Sequence, residues 1–558
     1  MTPVKPLRAS DSERGSPQPK SWGLPRQPHS IRLPRNGFSR SPRLEISLAF
    51  LAAAFATTVC SGGYITPGSL EETEQVAQDI MASATALARL LQPADTQEPQ
   101  PDTATPTPNL TATPAESPTA GTPYLYTAQS GDTLANLAAR FGVAPEQIAS
   151  PQDIPTGLIT AGQIFNIPNV LGETTPHDRL LPDSEVVFSP SAIGFSAASY
   201  AGPFGGYLMN YREYLPLDWY NGPAIVERVA NEQSINPRIL LSILQYQSNW
   251  VLGEPLEGSD LEYPIGFKNP QDHKLYHQLG WAANQLSIGY YEWRDGSLTE
   301  LSFPDGTKLR IAPDLNAGTV AVQYFFSKLY DYETWLSIMD PETGFALTHG
   351  KAMFPDPWER ASQVEPLYPP EFEQPNLGLP FYESQTWYFT AGPHGAWDRE
   401  GSMAALDFAP GSDLPGCAES ELWITAAGPG LVVRSSRGVV VVDMDGDGYE
   451  QTGWAILYLH VANTDHLRVG DWVDRGDKLG NPSCEGGFAT GTHLHIVRKY
   501  NGEWIAAGGP VPFNLSGWIA QNGGASYLGT MVRDGNVVTA CTCSNQGTRI
   551  ARSSSDPY

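Results

Sequence analysis

The chain has 558 residues, of which 41% are apolar and 10% aromatic, so it can build several packed domains. Its 54 glycines and 49 prolines indicate long stretches of turn and linker. A formal charge of −26 excludes the basic stripes of a nucleic-acid-binding surface and disfavours adhesion to anionic lipid by charge.

The first 61 residues are typical of an export signal. Nine Lys and Arg residues precede position 44, against two acidic residues, and a short apolar run follows at 46–59. We expect a signal peptide with a long basic region, or a start codon placed too far upstream, cleaved near Ser61. The run is shorter than the roughly 20 residues of a membrane span, and an uncleaved anchor is the alternative.

A helix and a linker occupy residues 62–123. Ser69 and Glu72 stand at capping-box spacing at the start of a lone helical pattern. Residues 93–123 are rich in proline and threonine, a composition typical of an extended spacer.

Residues 124–170 carry the first recognisable module. A short strand leads into "SGDTL", where Asp132 or Thr133 can cap a helix, a second helix is predicted from Pro145, and the segment closes on "AGQIFNIP". The segment resembles a LysM module along its length. The resemblance implies a βααβ fold that binds N-acetylglucosamine-containing glycans, mainly peptidoglycan, with Gly131, Asp132 and Thr133 as candidate contacts.

After a linker at 171–205, residues 206–355 have helical and aromatic patterns. The stretch 223–251 is similar to lysozyme-like lytic transglycosylases, in which a glutamate at the end of this helix is the general acid. Gln247 stands there instead, and an amide cannot protonate a glycosidic oxygen. We therefore expect an inactive α-helical lysozyme-like domain that acts as a spacer or binds glycan through Trp281 and Tyr290.

A second proline-rich linker, 356–382, precedes an antiparallel β-sheet domain at 383–515. Five of the ten histidines fall in this domain: His394, His460, His466, His493 and His495. The last two are at i and i+2, which in a strand points both side chains to one face. Zinc catalysis needs three imidazole or carboxylate ligands and one open position, which His394, Asp407 and one of that pair could supply.

The stretches "GPH…AALDF", "YLH" and "TGTHLH" resemble the peptidoglycan-cleaving metalloendopeptidases that include lysostaphin and the beta-lytic proteases. The familiar HxxxD spacing is absent, because Met403 stands four residues before Asp407, but the beta-lytic branch uses the longer spacing found here.

The resemblance implies a role for each of these residues. One zinc ion per chain would be bound by His394, Asp407 and His495, with His460 and His493 as the catalytic pair. His466 lies outside the motifs, and we assign it to the surface.

The remaining features are secondary. In an oxidising compartment Cys417 and Cys484 are a candidate disulfide, since Cys484 precedes the HLH strand. Cys541 and Cys543, in a C-terminal extension at 516–558, can pair with each other or with a partner. Three aspartates, Asp443, Asp445 and Asp447, have the spacing of a calcium loop. Trp454 stands where the bidentate acid is needed, so a tight turn is favoured over a Ca²⁺ site.

The sequence thus predicts a multidomain exported zinc metalloendopeptidase that hydrolyses peptidoglycan stem peptides or cross-bridges while its LysM module holds the glycan. It would be secreted or wall-associated, with membrane contact only if the signal stays uncleaved. The alternatives are a catalytically inactive wall-binding scaffold or regulator of wall hydrolases, and a general secreted protease.

Overall fold

The computed structural model describes residues 121–556, except 370, 384, 399, 412–415 and 544. The expected export signal, the lone helix and nearly all of the first linker lie outside the described residues. Among the residues that are described, no helix is both long enough and apolar enough to cross a membrane.

The first described unit is small. Strand β1 (Tyr124–Thr127) pairs antiparallel with β2 (Ile164–Ile167), and α1 (Leu134–Phe141) lies between them in sequence. Thr133 caps α1, because its hydroxyl accepts the amide hydrogen of Asn136 at 3.2 Å. The second helix predicted from Pro145 is a single 3₁₀ turn, since the chain soon pairs with β2 through Ala149.

A helical region follows, with two short hairpins. Its helices are α2 (Ala197–Ala201), α3 (Tyr207–Asn210), α4 (Gly222–Gln233), α5 (Pro237–Ser248), α6 (Lys274–Asp295), α7 (Ala317–Ser327), α8 (Tyr332–Ile338), α9 (Phe345–Leu347) and α10 (Pro357–Ala361). The hairpins are β3 (Arg212–Leu215) with β4 (Asp218–Asn221), and β5 (Glu300–Ser302) with β6 (Lys308–Arg310). Helices α4 to α7 carry most of the buried apolar side chains of this region.

Both internal linkers predicted from composition are packed segments. In 171–205, Leu181 and Val187 are fully buried, and Asp183 accepts the amide hydrogen of Gly318 at 2.8 Å. In 356–382, Leu379 and Phe381 are fully buried. The linker predictions were wrong because proline and small polar residues argue against regular secondary structure, not against burial.

The rest of the chain is built on an antiparallel sheet of nine strands. The strands from here on are β7 (Thr386–His394), β8 (Ala405–Pro410), β9 (Ile424–Thr425), β10 (Gly430–Ser436), β11 (Val439–Asp443), β12 (Trp454–Leu459), β13 (Val461–Ala462), β14 (Trp472–Val473), β15 (Lys478–Pro482), β16 (Leu494–Tyr500), β17 (Glu503–Trp504), β18 (Asn514–Leu515), β19 (Trp518–Asn522), β20 (Gly529–Arg533), β21 (Asn536–Thr539) and β22 (Arg549–Ala551). The sheet order is β14-β10-β11-β12-β16-β8-β7-β22, and β17 pairs with β16.

Both faces of this sheet are buried. Val440, Val442 and Tyr458 point into a core of the β domain, whereas Val441 and Leu457 belong to the same hydrophobic core as helices α4 to α7. This alternation follows from the two-residue period of a strand. The helical region therefore packs directly on the sheet.

The C-terminal residues are part of the same fold. Strands β18 to β21 form a four-stranded sheet, and β22 adds to the main sheet by pairing Ile550 with Trp387, both of which are buried. The boundary predicted at 515 was wrong, because the "extension" supplies an edge strand that covers β7. A strand of three residues gives too little periodicity to be recognised from sequence.

Candidate metal centre and active-site groove

Three strands bring His394, Asp407 and His495 together. Asp407 in β8 lies directly opposite His495 in β16, so both side chains project from one face of the sheet. His394 ends β7, where the β7–β8 register shifts on either side of Ala391. These irregularities carry His394 towards Asp407, as bulges commonly do beside functional sites.

The distances between the three side chains are short. Asp407 Oδ1 is 3.4 Å from His394 Nε2 and 3.2 Å from His495 Nδ1. The two ring nitrogens are 3.1 Å apart. All three residues are buried.

Backbone carbonyls fix which ring nitrogen carries the proton. His394 Nδ1 lies 2.9 Å from the carbonyl oxygen of Gly392, and His495 Nε2 lies 2.9 Å from that of Ala396. A carbonyl can only accept, so these nitrogens donate. In the neutral rings the lone pairs of His394 Nε2 and His495 Nδ1 then point at Asp407, as metal-binding histidines require.

The donor set fits a divalent metal ion. Asp407 Oδ1 is buried and has no hydrogen-bond partner of acceptable geometry within the described residues. Two imidazole lone pairs and a carboxylate oxygen that converge on one point repel one another unless a cation lies between them. His₂Asp is also a ligand set for a catalytic metal with one open position.

The pKa values of Asp407, His394 and His495 are all shifted, because these groups are buried close to one another. Burial opposes ionisation of Asp407, but the adjacent His394, with His495 and His493, holds the pKa of that carboxyl well below its usual range. Burial lowers the pKa of His394, but the negative charge of Asp407 has the larger effect, so the His394 pKa is raised overall. Burial lowers the pKa of His495, so that ring is neutral.

His460 and His493 lie beside this trio. Their ring centroids are 4.4 Å apart, and His493 Nε2 is 3.7 Å from Asp407 Oδ2. Each donates Nδ1–H to a carbonyl at 2.7 Å, His460 to Glu485 and His493 to Gly491. Burial, with the nearby His493 and His495, lowers the pKa of His460 to about 3, so this ring is neutral. In the described part of the chain neither Nε2 has a backbone hydrogen-bond partner; His493 lines the neighbouring cavity, whereas His460 is buried.

The backbone at His460 is unusual. It follows β12 directly and has φ +65°, in the left-handed region that few non-glycine residues adopt. Such conformations are stored at functional sites when surrounding structure holds them. Here the carbonyl of Glu485 and the core around Leu459 hold the ring next to His493.

A cavity of about 700 Å³ adjoins these residues, and Asp407 and His493 line it. Its lining includes Asp407, Glu421, Thr492, His493 and Tyr527, and the described residues that line it all fall between 390 and 542. Neither the helical region nor residues 124–170 contribute to it. The described lining of the cavity thus comes from the β domain and its C-terminal strands.

Tyr527 is a site residue that sequence reasoning missed. Its ring stacks on that of His394 at 4.5 Å, and its backbone nitrogen donates to the Pro393 carbonyl at 3.0 Å. It has φ +70°, a rare conformation for a bulky residue. No spacing rule marks a single tyrosine between two C-terminal strands, so only the fold reveals it.

Cys417 and Cys484, which are 67 positions apart in sequence, form a disulfide. Cys417 lies on the loop that edges the cavity, and Cys484 precedes the strand of His495. Cys541 and Cys543 pair with each other across 2 positions. The sequence left that second pairing open.

Replacing both Cys417 and Cys484 by serine is expected to lower the free energy of unfolding by about 2–4 kcal/mol, because a long loop is released in the unfolded chain. Thermal unfolding without reductant measures this loss as a lower Tm. The Cys541→Ser/Cys543→Ser variant is the control, since its ring of 2 positions constrains little. Equal loss in both variants would contradict the loop-entropy explanation.

Of the glycan candidates Gly131, Asp132 and Thr133, the structure gives Asp132 a structural role. Asp132 is buried, pairs with Arg140 at 2.9 Å and accepts the Tyr126 hydroxyl hydrogen at 2.7 Å, so its carboxylate is not open to a sugar. Gly131 and Thr133 line a cavity of about 680 Å³ between residues 124–170, the helical region and the sheet, and they stay candidates for glycan contact.

The two aromatic candidates of the helical region fare differently. Tyr290 is fully buried, with its hydroxyl accepting from Arg294 at 2.9 Å, so its assignment to a sugar groove was wrong. The apolar helix pattern placed it on the core side of α6. Trp281 is partly buried and stacks on Phe267 at 4.1 Å, which covers one face of its ring.

Gln247, at the end of α5, has both amide ends bonded. Its Nε2 donates to the Ile265 carbonyl at 2.7 Å, and its Oε1 accepts the Tyr330 hydroxyl hydrogen at 2.7 Å. The glutamine therefore holds two segments together. This arrangement supports the expectation that the helical region lacks a general acid at this position.

Gln247→Glu is expected to destabilise the protein by about 1–3 kcal/mol at neutral pH, because a carboxylate would face the Ile265 carbonyl without a hydrogen to share. It should create no glycan-cleaving activity. Thermal unfolding and release of reducing ends from peptidoglycan measure the two effects. Gln363→Glu, an exposed site with the same charge change, is the control. New glycan cleavage would contradict the structural role.

The aspartates of the predicted calcium loop form the turn between β11 and β12. Asp443 Oδ2 accepts the Gly448 amide hydrogen at 2.9 Å, and Trp454 begins β12. Partial burial and the neighbouring Asp443 raise the pKa of Asp445 to about 6. These contacts form the predicted turn, and the three carboxylates, with one oxygen of each within 4.8 Å of the others, stay a candidate cation site.

Comparison with known proteins divides the chain in a similar way. Residues 126–168 match the LysM domain family, and residues 179–368 match the family described as LasA, N-terminal domain. The second match covers the region for which we expected a lysozyme-like domain and most of the supposed linker at 171–205.

Similar proteins are peptidases. Protease LasA of Pseudomonas aeruginosa (strain UCBPP-PA14) is 28% identical over 385 residues, which cover 62% of this chain and 85% of that protein. The beta-lytic metalloendopeptidase of Achromobacter lyticus is 26% identical over 158 residues, which cover 27% of this chain and 39% of that protein.

Solved structures of similar proteins include an M23 metalloprotease, pseudoalterin from the deep sea. It is 24% identical, with a TM-score of 0.27, over 33% of this chain and 99% of that one. The lysostaphin catalytic domain from Staphylococcus simulans is 22% identical, with a TM-score of 0.16, over 21% of this chain and 81% of that one.

Proposed function

We propose that this chain, which joins a LysM domain to a peptidase of the M23 type, is an exported zinc metalloendopeptidase that hydrolyses peptide bonds in peptidoglycan. The observation that carries the proposal is the convergence of His394, Asp407 and His495, with two further histidines beside them, next to a cavity that Asp407 and His493 line. A metal site and a pair of acid–base groups at one point are what amide hydrolysis needs.

Zinc is the metal that the ligands favour. His394 Nε2, Asp407 Oδ1 and His495 Nδ1 would hold it, because two imidazoles and one carboxylate form a ligand set that suits zinc and leaves a position open. When bound, it supplies Lewis acidity for the carbonyl oxygen and an activated water. The carbonyl partners of the two histidines keep the rings in the required tautomer.

His460 and His493 would move the protons. Each ring donates its Nδ1–H to a backbone carbonyl, so an unprotonated Nε2 can accept a proton from the attacking water. The same atom can then donate that proton to the nitrogen of the leaving amine. The ring that is protonated at that moment also stabilises negative charge on the carbonyl oxygen.

The substrate class follows from the LysM domain. Binding of peptidoglycan glycan by that domain would hold the protein on a polymer whose peptides can enter the open cavity. Cleavage of stem peptides or cross-bridges is therefore favoured over general proteolysis. Such a protein would act outside the cell, secreted or associated with the wall.

Metal content and bond cleavage test the proposal together. Full-length protein should carry about one zinc per chain, measured by mass spectrometry, and should release new amino groups from purified peptidoglycan but not from casein. A chelator should abolish the release, and added zinc should restore it. Neither zinc nor amine release would overturn the proposal in favour of a wall-binding scaffold. Efficient casein cleavage would favour a general secreted protease.

A further inference from the structure

Residues 395–402, which we call the ligand loop, connect His394 to the chain that precedes β8. One backbone group of this loop acts on the metal centre. The carbonyl of Ala396 accepts the Nε2 hydrogen of His495 at 2.9 Å, which leaves the Nδ1 lone pair of that ring towards Asp407. The position of the ligand loop therefore determines how His495 is presented to a metal.

The other side of the ligand loop packs on the helical region. Ala396 is buried in the hydrophobic core that includes helices α4 to α7, and Trp397 packs against the same core. The backbone at Gly401 lies close to α6, because a Cβ atom at this position would be 3.4 Å from the Cβ of Ser287. Ser287 is itself buried. The ligand loop is thus in direct contact with α6.

Ser402 closes the ligand loop on itself. Its hydroxyl oxygen accepts the amide hydrogen of Ala396 at 3.2 Å, and the side chain is buried. Gly395 is needed for the tight turn, since a Cβ atom there would overlap the carbonyl oxygen of Asp398. Both polar backbone groups of Ala396 are therefore bonded, the amide to Ser402 and the carbonyl to His495.

These contacts connect α6 to the metal centre without passing through the cavity. Ser287 contacts Gly401 at one end of the ligand loop, and the Ala396 carbonyl binds His495 at the other. The partner of the second ring nitrogen fixes the tautomer and orientation of a metal-binding histidine, and its loss typically weakens metal binding about 10–100-fold. A shift of the loop would lengthen this hydrogen bond and allow the ring to rotate.

We propose that the helical region sets the zinc affinity of the β domain through the ligand loop, with Ser287 and Ser402 as positioning residues for His495. This inference rests on the metal site of the proposed function and gives the helical region a part in it. None of the described residues of that region lines the cavity. Its effect on the site is to hold one ligand in place before the metal binds.

Ser287→Val tests the helical end of this path in the full-length protein. The larger side chain would meet the Gly401 backbone and move the ligand loop away from α6. Zinc affinity, measured by competition with a chromophoric chelator, is expected to fall about 10–100-fold, and the absorption bands of the Co²⁺-loaded protein should change with the ligand geometry. Ser287→Thr, which adds a single methyl group, takes its place if the valine variant does not fold.

Ser287→Ala is the matched control for this variant. A smaller side chain at the same position leaves the ligand loop where it is, so zinc affinity should stay within about twofold of wild type. Loss of affinity in the alanine variant equal to that in the valine variant would contradict the steric explanation.

Ser402→Ala tests the other anchor of the ligand loop. It removes the acceptor of the Ala396 amide hydrogen, and a similar loss of zinc affinity is expected. Ser242→Ala is the control for general destabilisation, because its hydroxyl is buried 2.9 Å from His349 Nδ1 in the helical region. It should lower Tm and keep wild-type zinc affinity. Loss of affinity in Ser402→Ala but not in Ser287→Val would overturn the role of the helices.

A measurement on the metal-free protein separates this inference from failure of the proposed function. Side-chain nitrogen chemical shifts, measured by NMR, report which ring nitrogen of a histidine carries the hydrogen. Wild-type His495 is expected to be protonated at Nε2 alone, whereas Ser287→Val and Ser402→Ala should show a mixture of tautomers. This result would support the positioning role even if the protein cleaves no peptide. Identical His495 signals in the wild type and both variants would overturn it.

Discussion

Replacement of His394 by alanine is expected to reduce zinc from about one per chain to a trace and to lower amine release from peptidoglycan by at least about 10³-fold. The variant loses Nε2, one of three ligand atoms that surround the site, and leaves only Asp407 and His495 of the ligand set. Zinc content by mass spectrometry and initial rates of amine release measure the two effects on the same preparation.

His466→Ala is the control for this prediction. His466 is in the same domain, but its Nε2 lies 3.0 Å from the Lys478 carbonyl, away from the cavity. Its replacement should leave zinc content and rate near wild type. Circular dichroism separates loss of metal from loss of fold. A folded His394→Ala protein with full zinc and full activity would show that the trio does not hold the metal.

The second large effect is expected at His460. His460→Ala should keep about one zinc per chain, because its side chain is not among the three ligand groups, yet kcat should fall by about 10²–10⁴-fold. The loss reflects removal of the Nε2 that accepts and returns the proton. KM should change little, since His460 is not among the described residues that line the cavity.

His493→Ala extends the same comparison. Its Nε2 lies 3.7 Å from Asp407 Oδ2, so it should lower kcat as well and could be partly rescued by added imidazole at the vacated position. Loss of zinc in either variant would move that histidine from the proton-transfer pair to the ligand set. Retained activity in both would leave the proposed mechanism without a base.

The sequence predicted which residues meet but not how they are held. Spacing and strand pattern indicated His394, Asp407 and one of the two HLH histidines, and the resemblance to the beta-lytic proteases selected His495. The structure brings these three side chains within 3.4 Å of one another. The carbonyls of Gly392 and Ala396 that set the tautomers are backbone groups, and no side-chain pattern reveals them. Tyr527 was not predicted either, because it lies in a turn, where no periodic pattern indicates which residue it contacts.

Composition gave wrong linker predictions for segments that lack regular secondary structure but are packed against the rest of the fold. Residues 171–205 have the prolines and small polar residues of a linker, but Asp183 binds Arg294 at 2.9 Å and anchors the segment on α6. The glycan assignment of Tyr290 failed because an aromatic residue on an amphipathic helix serves the core more often than a ligand. A packed segment can be told from a linker, and a core aromatic from a ligand-binding one, only when the tertiary contacts are known.

The shared core between the helices and the sheet has a consequence for how this protein can be divided. Val439, Val441, Leu457 and Leu459 pack with helices α4 to α7, and Trp504 donates its indole hydrogen to the Gln233 carbonyl at 3.1 Å. A fragment truncated at about residue 383 would carry the whole catalytic cavity but would expose these side chains to water. We expect such a fragment to self-associate, because burying this contiguous apolar surface against a second copy removes it from water. The helices thus cover the apolar face of the sheet. None of their residues lines the described cavity, yet we expect the sheet to need this cover to stay soluble.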